Sequence, residues 1–507
     1  MKLKTLAFYI AGIFCMPAFY AQNITDAVRY SADNIEGTAR YRALSGAFTA
    51  LGGDLSASSL NPAGSAIFNS TYTSFSLSSL NTKNKTDYFN NHNSNSNSNT
   101  EFTQIGAAFV FYSPNTTNNF NKFSFGISYD KTQDFTNDWT VNGINTNSID
   151  SYFLANAQGL RLDEISARSN ETITQAYSEI GRIYGTRHQQ AFLGYQSYIL
   201  EPMEDVDENT EYTSNIAPGT FNQQYAYAAT GYNGKIAVNF ASEVNSKLYL
   251  GVNLNTHFIS YDKYTYLNER NSNTNTLVNH VIFENTLSTI GGGFSFQLGG
   301  IYKATENLRL GLTYNSPTWY TISEETTQGV TTVRNENSTA VTQIVEPRVA
   351  NIYPDYKLQT PGKINAGIAY IFGYSGLISL DYSYKDYSNA KFKPTNDIYF
   401  SEQNNIINNN LKGASAIAIG GEYRLKQLSL RGGYRFEESP YKNGNTIGDL
   451  SGYSVGLGYS FGVTKIDITF DQSQRDNNYQ LYSVGLTDTA SIQTRNSNVT
   501  CSLSFAL

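Results

Sequence analysis

The feature that most restricts the fold of this chain is a regular alternation of apolar residues with small or polar ones. Near the C-terminus, apolar residues occupy every second position: Tyr453, Val455, Leu457, Tyr459 and Phe461. Every position between them is Gly or Ser, and the same period recurs at 123–129, 248–255, 308–315 and 499–507. A period of two places successive side chains on opposite faces of an extended strand. The sequence therefore predicts an all-β protein.

The lengths of the connections favour a membrane barrel over a soluble sandwich, which also alternates. We expect about fourteen strands, with centres near residues 75, 107, 126, 238, 254, 295, 313, 366, 381, 419, 432, 457, 469 and 502. Six short connections alternate strictly with longer ones: 114–119, 242–247, 303–307, 373–376, 426–427 and 462–464. Bacterial membrane barrels have an even number of strands, short periplasmic turns and longer external loops. Residues 70–507 are thus predicted to form a transmembrane antiparallel β-barrel, because a closed sheet leaves no unpaired edge in lipid.

Composition excludes several other classes of protein. Mean hydropathy is −0.39 and only 40% of the residues are hydrophobic, which does not fit a bundle of membrane helices. The net charge of −7 and the absence of a basic stripe argue against a nucleic-acid partner. With two Cys and four His in scattered positions, we expect no metal site and no cofactor. The 39 Tyr suit the aromatic girdles of a membrane barrel.

Residues 1–21 have the features of a secretory signal. Lys2 and Lys4 precede an apolar stretch at 6–14, and Ala21 provides a small residue for cleavage. Cys15 raises the alternative of a lipoprotein, but the residue before it is Phe14 rather than a small one. A signal followed by a barrel predicts the bacterial outer membrane.

Ionisable residues lie on the strand parity opposite to the apolar one, which we assign to the lumen. They are Lys235, Arg309, Glu422, Arg424, Arg431, Arg435, Asp467 and Asp471. On the lipid face each Arg or Lys would cost about 2–4 kcal/mol at mid-depth. Two roles remain open for these residues. They either form ion pairs within the wall and with a plug, or they guide the head group of a ligand.

Three consecutive glycines, Gly291, Gly292 and Gly293, interrupt a strand pattern. Glycine weakens a strand and often marks a bulge or a bend. We predict a kink in the wall here, and a gap used by a ligand is the alternative.

Two stretches are predicted to form external loops. Residues 81–100 are rich in Asn and Ser, which is typical of a polar, low-complexity loop. Residues from about 134 to 223 are too many for one plain loop, and helical spacing at 170–184, with a second helix at 191–199, predicts a helical cap. The six acidic residues within 201–211 are interpreted as a solvated run rather than a calcium site.

Residues 22–69 do not alternate and are rich in Ala, Gly and Ser. A fourteen-strand barrel has a lumen too wide for its own side chains to fill. We therefore predict that this segment plugs the lumen as a hatch, with Arg42, Phe48 and Asp54 among its functional positions. A loose periplasmic tail is the alternative.

The motif Asn61-Pro62-Ala63-Gly64, which follows this small-residue segment, resembles the hatch of the FadL/TodX family of outer-membrane transporters for long-chain fatty acids and hydrocarbons. Tyr314-Asn315-Ser316-Pro317 and Thr360-Pro361-Gly362 are similar to further elements of that family. The resemblance implies a fourteen-strand barrel, an N-terminal hatch and a route that leaves sideways through the wall. One departure is the C-terminal residue, Leu507, where such barrels usually end in an aromatic residue.

The functional hypothesis is passive transport of a hydrophobic small molecule, either long-chain fatty acid-like or a hydrocarbon. The expected partners are this ligand, outer-membrane lipids and the barrel assembly machinery. A structural or adhesive barrel that uses its long external loops is the alternative. We expect no enzyme activity, because the two G-x-S-x-G matches around Ser454 and Ser460 lie within one alternating strand, whereas a nucleophilic serine needs a strand–turn–helix elbow.

Overall fold

The computed structural model describes residues 22–113, 119–337 and 339–507, so the signal predicted at residues 1–21 lies outside the described residues. Most of the described chain forms antiparallel strands. In order they are β1 (Tyr72–Tyr88), β2 (Asn91–Tyr112), β3 (Phe120–Asp134), β4 (Asn137–Asn145), β5 (Leu200–Pro202), β6 (Tyr212–Ser214), β7 (Phe221–Val244), β8 (Leu248–Arg270), β9 (Val278–Lys303), β10 (Leu308–Asn315), β11 (Trp319–Glu336), β12 (Thr339–Val345), β13 (Asn351–Ile352), β14 (Tyr356–Gln359), β15 (Lys363–Ile371), β16 (Gly376–Asp386), β17 (Lys391–Lys393), β18 (Gly413–Leu425), β19 (Leu428–Glu437), β20 (Ile447–Ser460), β21 (Thr464–Gln480) and β22 (Thr489–Ala506).

The strands close into a fourteen-strand barrel, because β1 pairs both with β2 and with β22. Four of the wall strands are built from consecutive segments: β3 with β4, β10 with β11, β12 to β15, and β16 with β17. The separate pair of β5 and β6 lies outside this wall. All fourteen expected strand centres fall within the wall strands, which confirms the predicted fold class.

The wall has the two faces that the alternation predicts. On β20, Val455 and Leu457 are about half exposed to the outside (53% and 55%), whereas Ser454 between Tyr453 and Val455 is buried on the lumen side. Five of the six predicted short connections fall in described residues, and each contains between two and four residues. The turn expected at 114–119 lies mostly outside the described residues.

The prediction of a polar loop at residues 81–100 was wrong. β1 and β2 form one long hairpin, joined by a tight turn at Phe89 and Asn90, both with positive φ (49° and 63°). The Asn and Ser residues occur in these strands because β2 pairs with β1 along the whole stretch, and β1 pairs with β22 on its other side. The segment from 134 to 223, predicted to be an external cap, is only partly a cap. Its first part, β4, pairs with β7 and continues the wall.

Short helices occupy the lumen and the external mouth. They are α1 (Ile24–Ser31), α2 (Ala39–Ala43), α3 (Leu55–Leu60), α4 (Asp150–Ala157), α5 (Ile173–Tyr184), α6 (Thr186–Gln196) and α7 (Ile398–Asn410), with 3-10 turns at Pro62–Ile67, Leu162–Glu164 and Tyr387–Asn389. No helix among the described residues is both long and apolar enough to cross a bilayer.

The external cap packs against the wall through its own apolar core. Phe153 of α4 and Phe192 of α6 are fully buried beside Phe283 of β9. The helices α5 and α6 lie where the helical spacing places them, although α6 begins at Thr186, five residues before the expected start.

Candidate functional site

Residues 22–69 lie inside the barrel, and their short helices are held by side-chain caps. Asp54, one of the predicted hatch residues, accepts hydrogen bonds from the backbone N–H groups of Ser56 and Ala57 at the start of α3. It also accepts one from Thr38 Oγ1 (2.8 Å), the residue that caps α2. Because it joins the starts of two helices, Asp54 organises the hatch itself rather than facing a ligand.

The motif Asn61-Pro62-Ala63-Gly64 attaches the hatch to the wall. Asn61 Oδ1 accepts from the N–H of Ala63 (3.1 Å), and Asn61 Nδ2 donates to the carbonyl of Gly300 (3.2 Å) in β9. Pro62 begins the 3-10 turn, where its missing N–H has no cost. Asn239 Nδ2 donates to the Pro62 carbonyl (2.9 Å), so the motif contacts two wall strands.

Glycines in both surfaces permit this close approach. A Cβ on Gly299 would lie 2.0 Å from Asn61 Oδ1, and one on Gly251 would lie 2.4 Å from the Pro62 carbonyl carbon. Within the hatch, a Cβ on Gly64 would lie 3.1 Å from the Cα of Gly52. The motif and the wall therefore fit together only because neither side carries a larger residue at these points.

Arg42 joins the hatch to the opposite part of the wall. Its guanidinium donates to both carboxylate oxygens of Asp471 in β21 (2.8 and 3.0 Å) and also pairs with Glu36. Phe48 is fully buried and packs against Tyr41, with the Arg40 guanidinium 5.2 Å from its ring centroid. Both residues fix the position of the hatch.

A second ion-pair network continues from Arg40 into the wall. Arg40 pairs with Glu422 (2.9 Å), Glu422 with Arg431 (2.7 Å), and Arg431 with Asp467 (2.6 Å). The side chains of Glu422 and Arg431 are completely buried (0% exposed), so each charge depends on its partner. These contacts account for several of the lumen-facing ionisable residues by pairing within the wall and to the hatch.

Above the hatch, a cavity of about 1390 Å³ fills the lumen below the cap. Its upper wall is aromatic. Trp139 of β4 stacks on Tyr227 with ring centroids 5.2 Å apart, and Tyr479 meets Trp139 edge-on at 4.9 Å. Tyr482 stacks with Phe283 at 5.9 Å. Such surfaces contact apolar groups without demanding a hydrogen bond from them.

The floor of the cavity carries balanced charges. Lys363 and Lys385 both pair with Asp33 in the hatch segment after α1 (3.3 and 2.6 Å). Burial opposes the charged form of Asp33, but the two ammonium groups hold the pKa of its carboxyl well below the usual range. Lys235 also lines this floor and donates to the Ser59 carbonyl (3.2 Å).

The wall is interrupted beside this cavity, where β2 and β3 separate. Their pairing ends at Gln104 and Asp130, beyond which β2 keeps only its pairing with β1. The register between β3 and β7 shifts between Lys131 and Gln133, and β4 then continues along β7. We call this place, residues 101–104 and 130–136, the seam.

Lys131 spans the seam. Its side chain is only 2% exposed and forms ion pairs with Glu101 of β2 and with Asp134 (3.1 Å). Asp130, Lys131, Thr132 and Gln133 also line the lumen cavity. The β3 side of the seam therefore forms part of the lining of the cavity.

The seam was missed in the sequence, although one signal was present. Phe123, Phe125, Ile127 and Tyr129 share the lipid-facing parity of β3, and Lys131 is the next residue on that parity. A lysine facing lipid is costly, and the structure turns it inward at the point where β3 leaves β2.

The three glycines singled out in the sequence do not interrupt the wall pairing. Gly291, Gly292 and Gly293 pair in unbroken register with residues 257–259 of β8 and 320–322 of β11. The pairing of β2 with β3, in contrast, ends at the seam.

The first G-x-S-x-G match lies within β20, as the alternation predicts, whereas the second begins in β20 and ends in the turn at Gly462. Neither serine lies at a strand–turn–helix elbow, because the turn leads into β21. Ser454 Oγ donates to the Ala43 carbonyl (2.9 Å) and contacts Ser45 Oγ (2.8 Å), so this serine connects the wall to the hatch. No group of three or more His, Cys, Asp or Glu within the described ranges is arranged to hold a metal ion.

Comparison with known proteins agrees with this geometry. The model of the outer membrane protein transport family (OMPP1/FadL/TodX) matches residues 202–504. A Pseudomonas aeruginosa FadL homologue shares the fold at 10% identity, with a TM-score of 0.55 over 94% of this chain and 99% of that one. The Pseudomonas putida toluene transporter TodX gives 13% identity and a TM-score of 0.51 over 94% and 100%. No curated protein matches the sequence significantly. The chain belongs to the OMPP1/FadL/TodX family of transport proteins of the bacterial outer membrane, a family of channels rather than enzymes.

Proposed function

We propose that this protein carries hydrophobic small molecules, long-chain fatty acid-like or hydrocarbon, passively from outside the cell into the outer membrane. The ligand enters below the external cap, occupies the lumen cavity above the hatch, and leaves sideways through the seam. The observation that carries the proposal is that the cavity of about 1390 Å³ reaches the point where β2 and β3 lose their pairing.

The chemistry of the cavity suits such a ligand. The aromatic group around Trp139, Tyr227 and Tyr479 provides apolar contact for a hydrocarbon. The ammonium groups of Lys363 and Lys385, on the floor, can face an anionic head group. A cavity with apolar walls and a few charged groups is typical of small-molecule sites.

A sideways exit also matches the energetics of release. Moving an apolar molecule from the lumen into the bilayer is favourable, whereas moving it into periplasmic water is not. The hatch blocks the direct path, because Arg42, Asn61 and Pro62 fix it to separate wall strands. Outer-membrane lipids then receive the ligand, and no energy source is needed. We also propose that the barrel assembly machinery inserts the chain, as for other barrels of this membrane.

A crosslink across the seam tests the route. In a Cys501→Ser background, Glu101→Cys and Lys131→Cys are joined by a short bis-maleimide that replaces the ion pair. We expect uptake of labelled oleate or of an aromatic hydrocarbon by cells to fall to the level of a gene deletion. The control crosslink joins Lys122→Cys to Glu243→Cys, which also replaces an ion pair but lies away from the cavity, where β3 is still paired with both β2 and β7. It should leave uptake unchanged.

The result that contradicts the proposal is equal uptake with and without the seam crosslink. Uptake of every hydrophobe tried that is unchanged by deletion of the gene would contradict the transport function itself.

A further inference from the structure

The outer surface of β22, β1 and β2 carries a basic patch that the transport route does not use. Lys83 and Lys85 on β1 share the outward parity of Phe75 and Leu77, and both lysines are exposed. Arg495 on β22 shares the outward parity of Val499, which is 48% exposed. The three cations therefore face away from the lumen.

These cations are close neighbours in the sheet. Lys83 is the direct cross-strand partner of Arg495, and Lys85 is the next outward residue beyond Lys83. Like charges directly opposite each other destabilise a sheet. The pair therefore adds no stability to the sheet, and an anion bound from outside the protein would relieve the repulsion.

No carboxylate among the described residues pairs with the three cations. The nearest outward acids are Asp87 on β1 and Asp476 on the neighbouring β21, and both contact other side chains. Asp87 lies 2.7 Å from His92, and Asp476 accepts from Gln493 Nε2 (3.1 Å).

The height of the patch matches the head-group layer of the outer leaflet. Val499 is the last outward apolar residue of β22 before Ser497 and Arg495. Four residues of a strand tilted by about 40° rise roughly 10 Å. Charged lipid groups lie directly outside the hydrocarbon core, which is where the guanidinium of Arg495 is placed.

Hydroxyl groups surround the cations on the same face. Ser96 is the cross-strand partner of Lys83, and Ser94 is that of Lys85. Ser98 and Thr100 continue the outward face of β2 towards the exposed ring of Phe102. Hydroxyls can bond to sugar oxygens, while Lys and Arg bind phosphate through charge-assisted hydrogen bonds.

We propose that Lys83, Lys85 and Arg495 form a binding site for a phosphorylated glycolipid of the outer leaflet, with the lipid phosphates between the cations and its sugars on the hydroxyl face of β2. The acyl chains of the lipid then lie along the apolar band below. The site is independent of the ligand route through the lumen.

Binding is measured on the detergent-solubilised full-length protein with lipid A that carries two phosphates. Each basic residue near a charged lipid surface contributes roughly fivefold, so K83Q/K85Q/R495Q should weaken the Kd about a hundredfold and K85Q alone about fivefold. The matched control, R161Q/R168Q/R182Q, removes the same charge from the cap and should bind as the unchanged protein does. A difference in electrophoretic mobility between boiled and unboiled samples shows that each variant is a folded barrel.

Two further probes identify the ligand chemistry. Dephosphorylated lipid A should bind the unchanged protein no better than it binds the triple variant, and inorganic phosphate should compete only weakly. The proposal would be overturned if the folded triple variant bound lipid A as tightly as the unchanged protein. It would also be overturned if the cap control lost as much affinity for lipid A as the triple variant, or if inorganic phosphate bound as tightly as lipid A.

Discussion

Charged side chains are arranged differently in two parts of the barrel wall. Where β18 to β22 face the hatch, buried carboxylates and guanidinium groups are fully paired, as in the contact of Arg42 with Asp471 and of Glu422 with Arg431. At the seam, where the backbone pairing of β2 with β3 has ended, side chains connect the two sides, and Lys131 forms the ion pair with Glu101 across it. In the function that we propose, the first region holds the plug in place, and the second is where the wall would open to release the ligand.

Removing a charge from the hatch side should have the largest effect. Arg42→Ala leaves the carboxylates of Glu36 and Asp471 without their partner, and breaking a buried pair costs about 3–5 kcal/mol. We expect a loosened hatch, measured as increased entry of a large hydrophilic antibiotic and faster proteolysis within residues 22–69. Arg182→Ala, which breaks an exposed pair with Glu179 in α5, is the control and should change neither. An intact permeability barrier in Arg42→Ala would show that this pair does not hold the hatch.

The corresponding change at the seam should act on transport instead. Lys131→Gln removes charged hydrogen bonds worth about 1.5–3 kcal/mol. Because these bonds close the gap between β2 and β3, we expect faster uptake of hydrophobic substrate with an unchanged barrier to hydrophilic antibiotics. Lys122→Gln, at the far end of β3, serves as the control because it breaks a pair with Glu243 where β3 is still paired with both β2 and β7. Slower uptake in Lys131→Gln would contradict a closing role.

A glycine substitution tests how closely the hatch fits the part of the wall that holds it. Gly299→Ala places a methyl group against Asn61 Oδ1 and should cost about 1–3 kcal/mol by overpacking. Gly300→Ala is the matched control, because its Cβ would have no neighbour nearer than 3.7 Å. Urea unfolding from lipid vesicles should separate the two variants. Equal stability would mean that the Asn61 turn does not depend on this close fit.

The smallest effect is expected for Ser454→Ala. The variant loses hydrogen bonds to Ala43 and Ser45, worth about 0.5–1.5 kcal/mol. Uptake should stay unchanged and any background esterase activity should not fall. A specific loss of hydrolysis in this variant would favour an enzyme after all.

The alternation of the sequence predicted the strands, and the order of short and long connections predicted the barrel. All fourteen strand centres fall in wall strands, because a lipid-facing residue at every second position is a strong physical requirement. The hatch motif was found through its resemblance to the FadL/TodX family, and the structure places Pro62 at the start of a 3-10 turn, with Gly64 close to Gly52.

The details that were missed depend on partners far away in the sequence. The Asn and Ser of residues 81–100 have the composition of a loop, yet pairing of β1 with β22 makes them strands. The seam depends on where β4 pairs with β7 rather than with β2, and local periodicity does not specify that choice. The partners of Arg42 are likewise set by the closed barrel, because Asp471 lies more than four hundred residues away.

Photoaffinity labelling of the route tests the central claim most directly. A fatty acid with a diazirine at the chain end is bound to the protein in lipid vesicles, activated by light, and the labelled peptides are identified by mass spectrometry. The account predicts labels in the aromatic group around Trp139 and at both edges of the seam, near Gln104 and Lys131. Labels on the periplasmic turns below the hatch, with none at the seam, would contradict a sideways exit.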